Sequence, residues 1–272
     1  MRRAGVDPGN KNTKIATDEG VFFFDSCLGD GRDLRLENDY HDPMSGTYEG
    51  KPFFAGMLAE KESYYPRRSM GLSKAHEDMK LRVLIALHRF TQEQTFELIV
   101  GQPIKRHTPD EKKRIKELLI GEHDLLLNGV QKTLRIQSVE VAAEGAGVFW
   151  CQPQGGKIRI IEIGSGTVNI ATIEDGYFID KESDTLPFGT LSHGGDIAAV
   201  TSGILSAMTR MCAYADDIRI AGGAAAQIYP SIVQVYPKAQ LLRPIHTGKM
   251  VHPMFANAIG FYELSKLVYG DA

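Results

Sequence analysis

The chain has 272 residues, of which 43% are hydrophobic and 24% charged, and its formal net charge is −3. This length allows one large domain or two small ones with a buried core. The slightly acidic balance gives no reason to expect direct contact with nucleic acid through a basic face. No apolar run reaches the roughly 18 residues of a membrane span, and no signal-peptide pattern comes before Asp7. We therefore expect a cytoplasmic protein without membrane contact.

The three cysteines, Cys27, Cys151 and Cys212, are far apart and form no C-x-x-C pair. That pattern is typical of a reducing compartment and predicts neither a disulfide framework nor a zinc site. The eight histidines show no H-x-x-x-H spacing, so a metal site built from imidazoles has no support.

Residues 3 to 28 predict a β-meander with a turn at Asp18-Glu19-Gly20. A polar segment broken by Gly and Pro follows over residues 29 to 73, and "YEGKPFFAGMLA" within it predicts a small hairpin and a short helix. "SKAHEDMKLRVLIALHRF" carries a helical apolar stripe, and "TFELIVGQP" predicts a buried strand. The next helix begins at Thr108 as N-cap, with Pro109 in the first turn and Glu111 closing a capping box.

The second half continues the alternation of strands and helices. Asn128-Gly129 predicts a type I′ turn between two strands. Strands are expected at 157 to 163 and 167 to 173, and a helix from about Asp196 to Tyr214. "DDIRIAGGAAAQIYPSI" then predicts a strand, a glycine turn and the start of a helix. Interleaved elements of this kind indicate an α/β protein with mixed sheets.

Two strand–acid–glycine–strand units stand out in this pattern. A tight hairpin that exposes backbone N–H groups can cradle a phosphate, because glycine lets the ligand approach closely. A carboxylate on the strand before the hairpin can hold a hydrated Mg²⁺ ion that bridges to phosphate oxygens. The first unit has Asp7 followed by Gly9, Asn10, Lys11 and Asn12, and the second has Glu162 followed by Gly164, Ser165, Gly166 and Thr167. Two facing hairpins would hold a triphosphate, with Asp7 and Glu162 binding the metal through waters.

A third element has the form strand, small residues, helix N-terminus. It is "IRIAGGAAAQI", in which Gly222, Gly223 and Ala224 would let a ribose and base lie against backbone. Each element alone is common in proteins. Their occurrence in this order in one chain is what points to a nucleotide site.

With these motifs the chain resembles the actin, heat-shock-chaperone and sugar-kinase superfamily, and within it the plasmid-segregation actins of the ParM/StbA type. Asp7-Pro8-Gly9-Asn10 resembles the first phosphate motif, with Lys14 where actins carry a phosphate-contacting lysine. "EIGSGTVNI" resembles the second phosphate motif and "IRIAGGAAA" the adenosine motif. "VEVAAEGAG" resembles the connecting segment with its catalytic glutamate, here Glu144. The C-terminal "HPMFANAIGFYELSKL" resembles a helix common in bacterial actin-like proteins.

The resemblance implies a two-domain actin-like α/β fold with duplicated mixed sheets and a nucleotide cleft between them. Domain I would span residues 1–155, with 31–74 as small subdomain IB and the helix 255–272 packing back onto it. Domain II would span 156–254. Only about fifty residues separate the second phosphate motif from the adenosine motif, enough for a hairpin, a turn and one helix. The chain therefore looks like the AlfA type, which lacks subdomain IIB.

The resemblance also implies a function: filament formation driven by ATP or GTP with Mg²⁺, moving plasmid DNA through a DNA-bound adaptor protein. Glu144 would activate or orient the attacking water, and Lys14 would face the β-phosphate. Gly195 and Asp196 would lie near the nucleotide, although Asp196 also fits a plain N-cap. Two departures are Glu162, where the family usually has Asp, and Ala224 in place of a third glycine. A small-molecule kinase of the type III pantothenate kinase kind, or a nucleotide-gated chaperone, remains the alternative.

Overall fold

The computed structural model describes residues 2–36, 38–68 and 71–270. Residues 1, 271 and 272, at the ends of the predicted domain and C-terminal helix, and 37, 69 and 70 of the predicted subdomain IB, lie outside the described residues. The strands are β1 Arg2–Pro8, β2 Asn12–Thr17, β3 Gly20–Asp25, β4 Leu28–Asp30, β5 Met44–Tyr48, β6 Lys51–Ala55, β7 Thr95–Gln102, β8 Gly121–Leu127, β9 Val130–Ala143, β10 Lys157–Ile163, β11 Val168–Glu174, β12 Tyr177–Phe178, β13 Asp184–Leu186, β14 Asp217–Gly222, β15 Gln240–Leu241, β16 Ile245–His246 and β17 Lys249–Met250. The helices are α1 Gly56–Glu62, α2 Glu77–Phe90, α3 Pro109–Leu119, α4 Ala146–Phe149, α5 Ile197–Met211, α6 Ala225–Val235 and α7 Ala256–Tyr269.

Two mixed sheets repeat one local topology. The first has the order β3-β2-β1-β7-β9-β8-β5-β6-β4, and the second has the order β12-β11-β10-β14-β15 with β13 also paired to β11. In the first sheet, β1 pairs antiparallel with β2 and parallel with β7. In the second, β10 pairs antiparallel with β11 and parallel with β14. The predicted α/β class with duplicated mixed sheets is therefore confirmed.

The central strands are apolar on both faces because helices and loops cover both sides of each sheet. In β10, Ile158 to Ile163 are all buried, and Glu162 is the one carboxylate among them. One hydrophobic core lies between the first sheet and helices α2 and α3, and another lies between the second sheet and helices α5 and α6. The cores fix where β1 and β10 end, and so where the two glycine hairpins project.

The predicted start of α3 is confirmed in part. Thr108 is the N-cap, Pro109 is the first helical residue, and the Thr108 hydroxyl accepts the Glu111 backbone N–H. The expected capping box is wrong in its second half, because the Glu111 carboxylate accepts hydrogen bonds from Ser73 Oγ at 2.5 Å and Gln102 Nε2 at 3.0 Å. Glu111 therefore holds the loop that precedes α2.

Helix α7 packs against β1, β2 and β7 of the first sheet. Between β11 and β14 the described chain contains the short strands β12 and β13, two 3₁₀ turns and α5, so no inserted subdomain is found there. Asp196 is the N-cap of α5, which ends at Met211 rather than near Tyr214. Among the described helices, none has the length and apolar character needed to cross a membrane.

Candidate active site

The two glycine hairpins, β1–β2 and β10–β11, meet. The backbone N–H of Lys11 donates a hydrogen bond to Ser165 Oγ at 3.2 Å. A Cβ placed on Gly166 would lie 2.2 Å from Asn10 Nδ2, so any larger residue there would require the Asn10 side chain to move. The facing arrangement predicted from the two motifs is therefore present in the structure.

Two adjoining cavities lie between the hairpins, and they share Lys14, Glu162, Gly164 and Ser165 in their linings. The smaller, of about 40 Å³, is lined by Asp7, Gly9, Asn10, Lys14, Gly71, Lys74, Pro103, Glu144, Glu162, Gly164, Ser165, Gly166, Thr167 and Asn257. The larger, of about 330 Å³, is lined by Lys11, Asn12, Lys14, Glu162, Ile163, Gly164, Ser165, Thr190, Leu191, Ile197, Gly223, Ala224, Gln227 and Met254. The smaller cavity is thus lined mainly by charged and polar groups, whereas the lining of the larger cavity also includes apolar side chains.

Asp7 lies at the end of β1 directly opposite Lys14 of β2 in the antiparallel register. Lys14 Nζ donates to Asp7 Oδ2 at 2.9 Å, and Lys74 Nζ lies 3.4 Å from Asp7 Oδ1. Burial alone would raise the pKa of Asp7, but the two ammonium groups outweigh it and hold the pKa below its ordinary value. Asp7 is therefore a buried, ionised carboxylate.

Glu144 follows β9 and sits beside Asp7. Its Oε1 pairs with Lys74 Nζ, and its Oε2 accepts from Asn169 Nδ2 at 3.3 Å. Lys74 is 7% exposed; burial lowers its pKa, yet Glu144 and Asp7 raise it further, so it stays charged. The Lys74 backbone N–H donates to Gln102 Oε1 at 3.0 Å, which fixes this loop against the end of β7.

Glu162 occupies the position in the second sheet that Asp7 occupies in the first. Its Oε2 accepts from Asn169 Nδ2 at 3.0 Å. Burial, together with the neighbouring charges of Glu144 and Asp7, raises the pKa of Glu162 to about 8. Glu162 therefore lies where the site carries uncompensated negative charge.

These groups fit a hydrated Mg²⁺ ion. Three carboxyl groups, from Asp7, Glu144 and Glu162, face two ammonium groups, from Lys14 and Lys74, and the raised pKa of Glu162 reflects that imbalance. Carboxylate oxygens are the ligands that Mg²⁺ prefers, and it usually keeps several waters. Within the described residues no three His, Cys, Asp or Glu side chains are grouped so that they could hold a metal ion without further ligands.

The segment between β14 and α6 forms one wall of the larger cavity through Gly223 and Ala224. Gly222 has φ +103°, and a Cβ there would lie 2.2 Å from the carbonyl oxygen of Ile163, so glycine is needed for β14 to pass β10. Gly195 and Asp196, both described by the structure, do not line either cavity. The structure thus brings together every predicted binding residue except Gly195, Asp196 and Gly222.

Two further site residues carry no motif in the sequence. Lys74 comes from a loop 67 positions after Asp7, and its neighbours give no sign that the side chain turns inward. Asn169 alternates with apolar residues on β11 and is fully buried. A polar amide between the apolar residues Val168 and Ile170, seven residues after Glu162, was the only available signal for it.

Comparison with known proteins places this geometry in context. A family described as the N-terminal domain of actin-like proteins matches residues 5–147. An AlfA filament bound to AMPPNP shares 20% identity over 99% of this chain and 100% of its own, with TM-score 0.78. AlfA from the B. subtilis plasmid pLS32 shares 20% identity over 100% of both chains, with TM-score 0.79. A 15-stranded ParM filament from Clostridium botulinum shares 17% identity over 98% of this chain and 100% of its own, with TM-score 0.77. No curated protein sequence matches.

Proposed function

This chain belongs to the family of actin-like proteins, and from that premise we propose that it is a nucleotide-dependent filament-forming ATPase or GTPase that drives plasmid DNA segregation. The observation that carries the proposal is the meeting of the two glycine hairpins around Asp7, Glu144 and Glu162. An AlfA filament of the same fold is bound to AMPPNP, which supports a nucleotide in this cleft.

The phosphates would lie in the charged end of the cleft. Backbone N–H groups of the two hairpins (Gly9, Asn10, Lys11 and Asn12; Gly164, Ser165, Gly166 and Thr167) would face the phosphate oxygens. Lys14 would share its ammonium group between Asp7 and an oxygen of the β-phosphate. Asp7 and Glu162 would hold the waters of Mg²⁺, which neutralises charge on the phosphates when bound. Gly222, Gly223 and Ala224 would support the nucleoside, and Gly195 and Asp196 would contribute only through the position of α5.

Glu144 is the group we assign to the attacking water. Phosphoryl transfer needs a nucleophile in line with the γ-phosphate, and a carboxylate can orient it and accept its proton. Lys74 on one oxygen and Asn169 on the other hold the Glu144 carboxylate in one place. Each carboxylate oxygen has a second lone pair left for a water.

We assign residues 1–155 to domain I and 156–254 to domain II, with 31–74 as subdomain IB and 255–272 returning to domain I. A nucleotide held by both hairpins would draw the two domains together and so favour the polymer-competent shape. The partners would be further copies of this chain and a DNA-bound adaptor protein in the cytoplasm. The net charge of −3 argues against direct contact with DNA.

Light scattering against protein concentration tests the proposal. With Mg²⁺ and ATP or GTP, scattering should rise above a critical concentration, negative stain should show filaments, and phosphate should be released. Without nucleotide, or with EDTA, the signal should stay flat. A protein that remains monomeric with nucleotide at high concentration, and phosphorylates a small metabolite, would contradict the filament proposal and favour the kinase.

A further inference from the structure

A chain of hydrogen bonds runs from a loop beside the first sheet, through two strands of the second sheet, to Glu144 and Glu162 in the site. It begins at the 3₁₀ turn Ile104–Arg106, which follows β7, where the backbone N–H of Lys105 donates to Thr185 Oγ1 of β13 at 3.2 Å. Thr185 Oγ1 donates to Asn169 Oδ1 of β11 at 2.8 Å. Asn169 Nδ2 then reaches Glu144 and Glu162. The chain of bonds therefore connects the loop after β7 to Glu144, which follows β9 of the same sheet, through two strands of the second sheet.

The direction of each hydrogen bond is determined by chemistry. Because Thr185 Oγ1 accepts the Lys105 N–H, its own proton is directed to Asn169 Oδ1. That bond fixes the Asn169 amide with its NH₂ group toward Glu144 and Glu162. The flipped amide would place a carbonyl oxygen against Oε2 of Glu144, whose other oxygen pairs with Lys74, and would leave Thr185 facing an NH₂ donor. Thr185 and Asn169 are fully buried, so water does not substitute for either bond.

The contact between Lys105 and Thr185 also joins the two sheets, and we call this line of contact the seam. Lys105 Nζ pairs with Asp184 Oδ1 at 3.0 Å, and Asp184 Oδ1 also accepts the Thr185 backbone N–H at 2.8 Å. The 3₁₀ turn and β13 are thus joined by both side-chain and backbone groups. If the seam opened, Thr185 would lose Lys105 and the amide of Asn169 would lose the constraint on its orientation.

We propose that Thr185 and Asn169 are positioning residues that orient Glu144 only when the seam between Lys105 and Thr185 is closed. The inference rests on the proposed function, since it assigns Glu144 to the attacking water. It adds that hydrolysis depends on closure through this relay, separately from nucleotide binding by the hairpins. Loss of the hydrogen bond between Lys105 and Thr185 would leave the hairpin contacts with phosphate in place and misdirect the carboxylate.

Thr185→Val tests the relay, because it keeps the shape and removes the hydroxyl. Loss of a net hydrogen bond should lower kcat for phosphate release by about 3- to 10-fold, while nucleotide Kd and critical concentration stay within about twofold. Thr185→Ser should restore kcat. Thr172→Val is the matched control on β11: Thr172 is also fully buried, but its hydroxyl bonds Arg159 and Glu182 and not the site. A Thr185→Val protein with wild-type kcat, or with Kd weakened as much as kcat, would overturn the proposal.

A double-mutant cycle on the stability of the protein tests the relay without any measurement of hydrolysis. In urea unfolding of the nucleotide-free protein, the midpoint shifts of Thr185→Val and Glu144→Ala should be non-additive, because they act on one chain of bonds. Those of Thr172→Val and Glu144→Ala should add. Additive shifts for Thr185→Val would overturn the relay. If the shifts are non-additive but wild type releases no phosphate, the relay stands and the proposed ATPase or GTPase activity fails.

Discussion

The two glycine hairpins are topological equivalents with opposite electrostatics. Asp7 in the first is held by Lys14 and Lys74, which keep its pKa below the ordinary value. Glu162 in the second has an amide from Asn169 as its hydrogen-bond partner, and burial beside Glu144 and Asp7 raises its pKa to about 8. The repeated fold thus supplies two similar loops, in which Asp7 is an ionised carboxylate while the Glu162 carboxyl group keeps its proton below about pH 8. A cation added beside Glu162 would favour the ionised form and displace that proton.

Glu144 lies between the two hairpins, and its removal should have the largest effect on turnover. Glu144→Ala should slow phosphate release by about 10²–10⁴-fold, because orientation of water contributes that much in the transition state. Nucleotide affinity and assembly should stay near normal, so its filaments should outlast those of wild type.

Glu140→Ala is the control for that measurement. Glu140 lies four residues earlier on β9 and pairs with Lys116 at 2.6 Å, outside the site. It should hydrolyse nucleotide like wild type. Slow release by Glu140→Ala together with normal release by Glu144→Ala would mean that the connecting segment is assigned four residues out of place.

The next prediction concerns the first hairpin, in which the Asp7 carboxylate is already paired with two lysine side chains. Asp7→Ala should weaken Mg²⁺–nucleotide binding by about 10- to 100-fold, the range for residues that hold a metal's ligands. Asp18→Ala is the comparison, because Asp18 is 60% exposed and pairs with Arg2 away from the cleft. Isothermal titration of both variants measures the difference, and equal affinities would remove Asp7 from the site.

The role of Glu162 in the other hairpin is tested by the pH dependence of stability, measured in EDTA without nucleotide. Its folded pKa is about 8 against an ordinary 4.5, so between these values the folded chain keeps a proton that the unfolded chain releases. Glu162 therefore makes stability fall as pH rises from about 5 to 8, by up to about 1.4 kcal/mol per pH unit. Glu162→Gln should lose this contribution. Buried histidines with lowered pKa values act in the opposite sense, so the difference between wild type and variant is the quantity to measure. Parallel pH curves would contradict the assignment.

Local signals in the sequence predicted most of the fold. Asn128-Gly129 has positive φ at both positions, as its turn type requires, and β10 spans the predicted residues 157 to 163. These features succeed because they depend on neighbours in the chain. Glu111 shows the limit: its capping role was predicted from spacing, but tertiary contacts with Ser73 and Gln102 replaced it.

The sequence predicted those parts of the site whose function depends on backbone conformation. It did not predict the side chains that reach the site from distant parts of the chain. The glycines mark both hairpins because a Cβ would lie 2.7 Å from the Asn12 carbonyl oxygen at Gly9 and 2.8 Å from the Thr167 carbonyl oxygen at Gly164. Lys74 and Asn169 carry no such mark, since their roles depend on which loop and strand the fold brings to Glu144. Asp196 matched a family position and also fitted a plain N-cap, and in the structure its carboxylate caps α5 through Ala198 and Ala199.

The most direct test of the central claim is a double-mutant cycle on magnesium dependence. For wild type, Asp7→Ala, Glu162→Ala and the double variant, the ratio of nucleotide affinity with Mg²⁺ to that with EDTA isolates the metal's contribution. If the two unequal carboxylates hold one ion, either single change removes most of this ratio and the double variant loses little more. If the two losses multiply, or if Glu162→Ala keeps the wild-type ratio, the hairpins do not share one magnesium–nucleotide and the account is wrong.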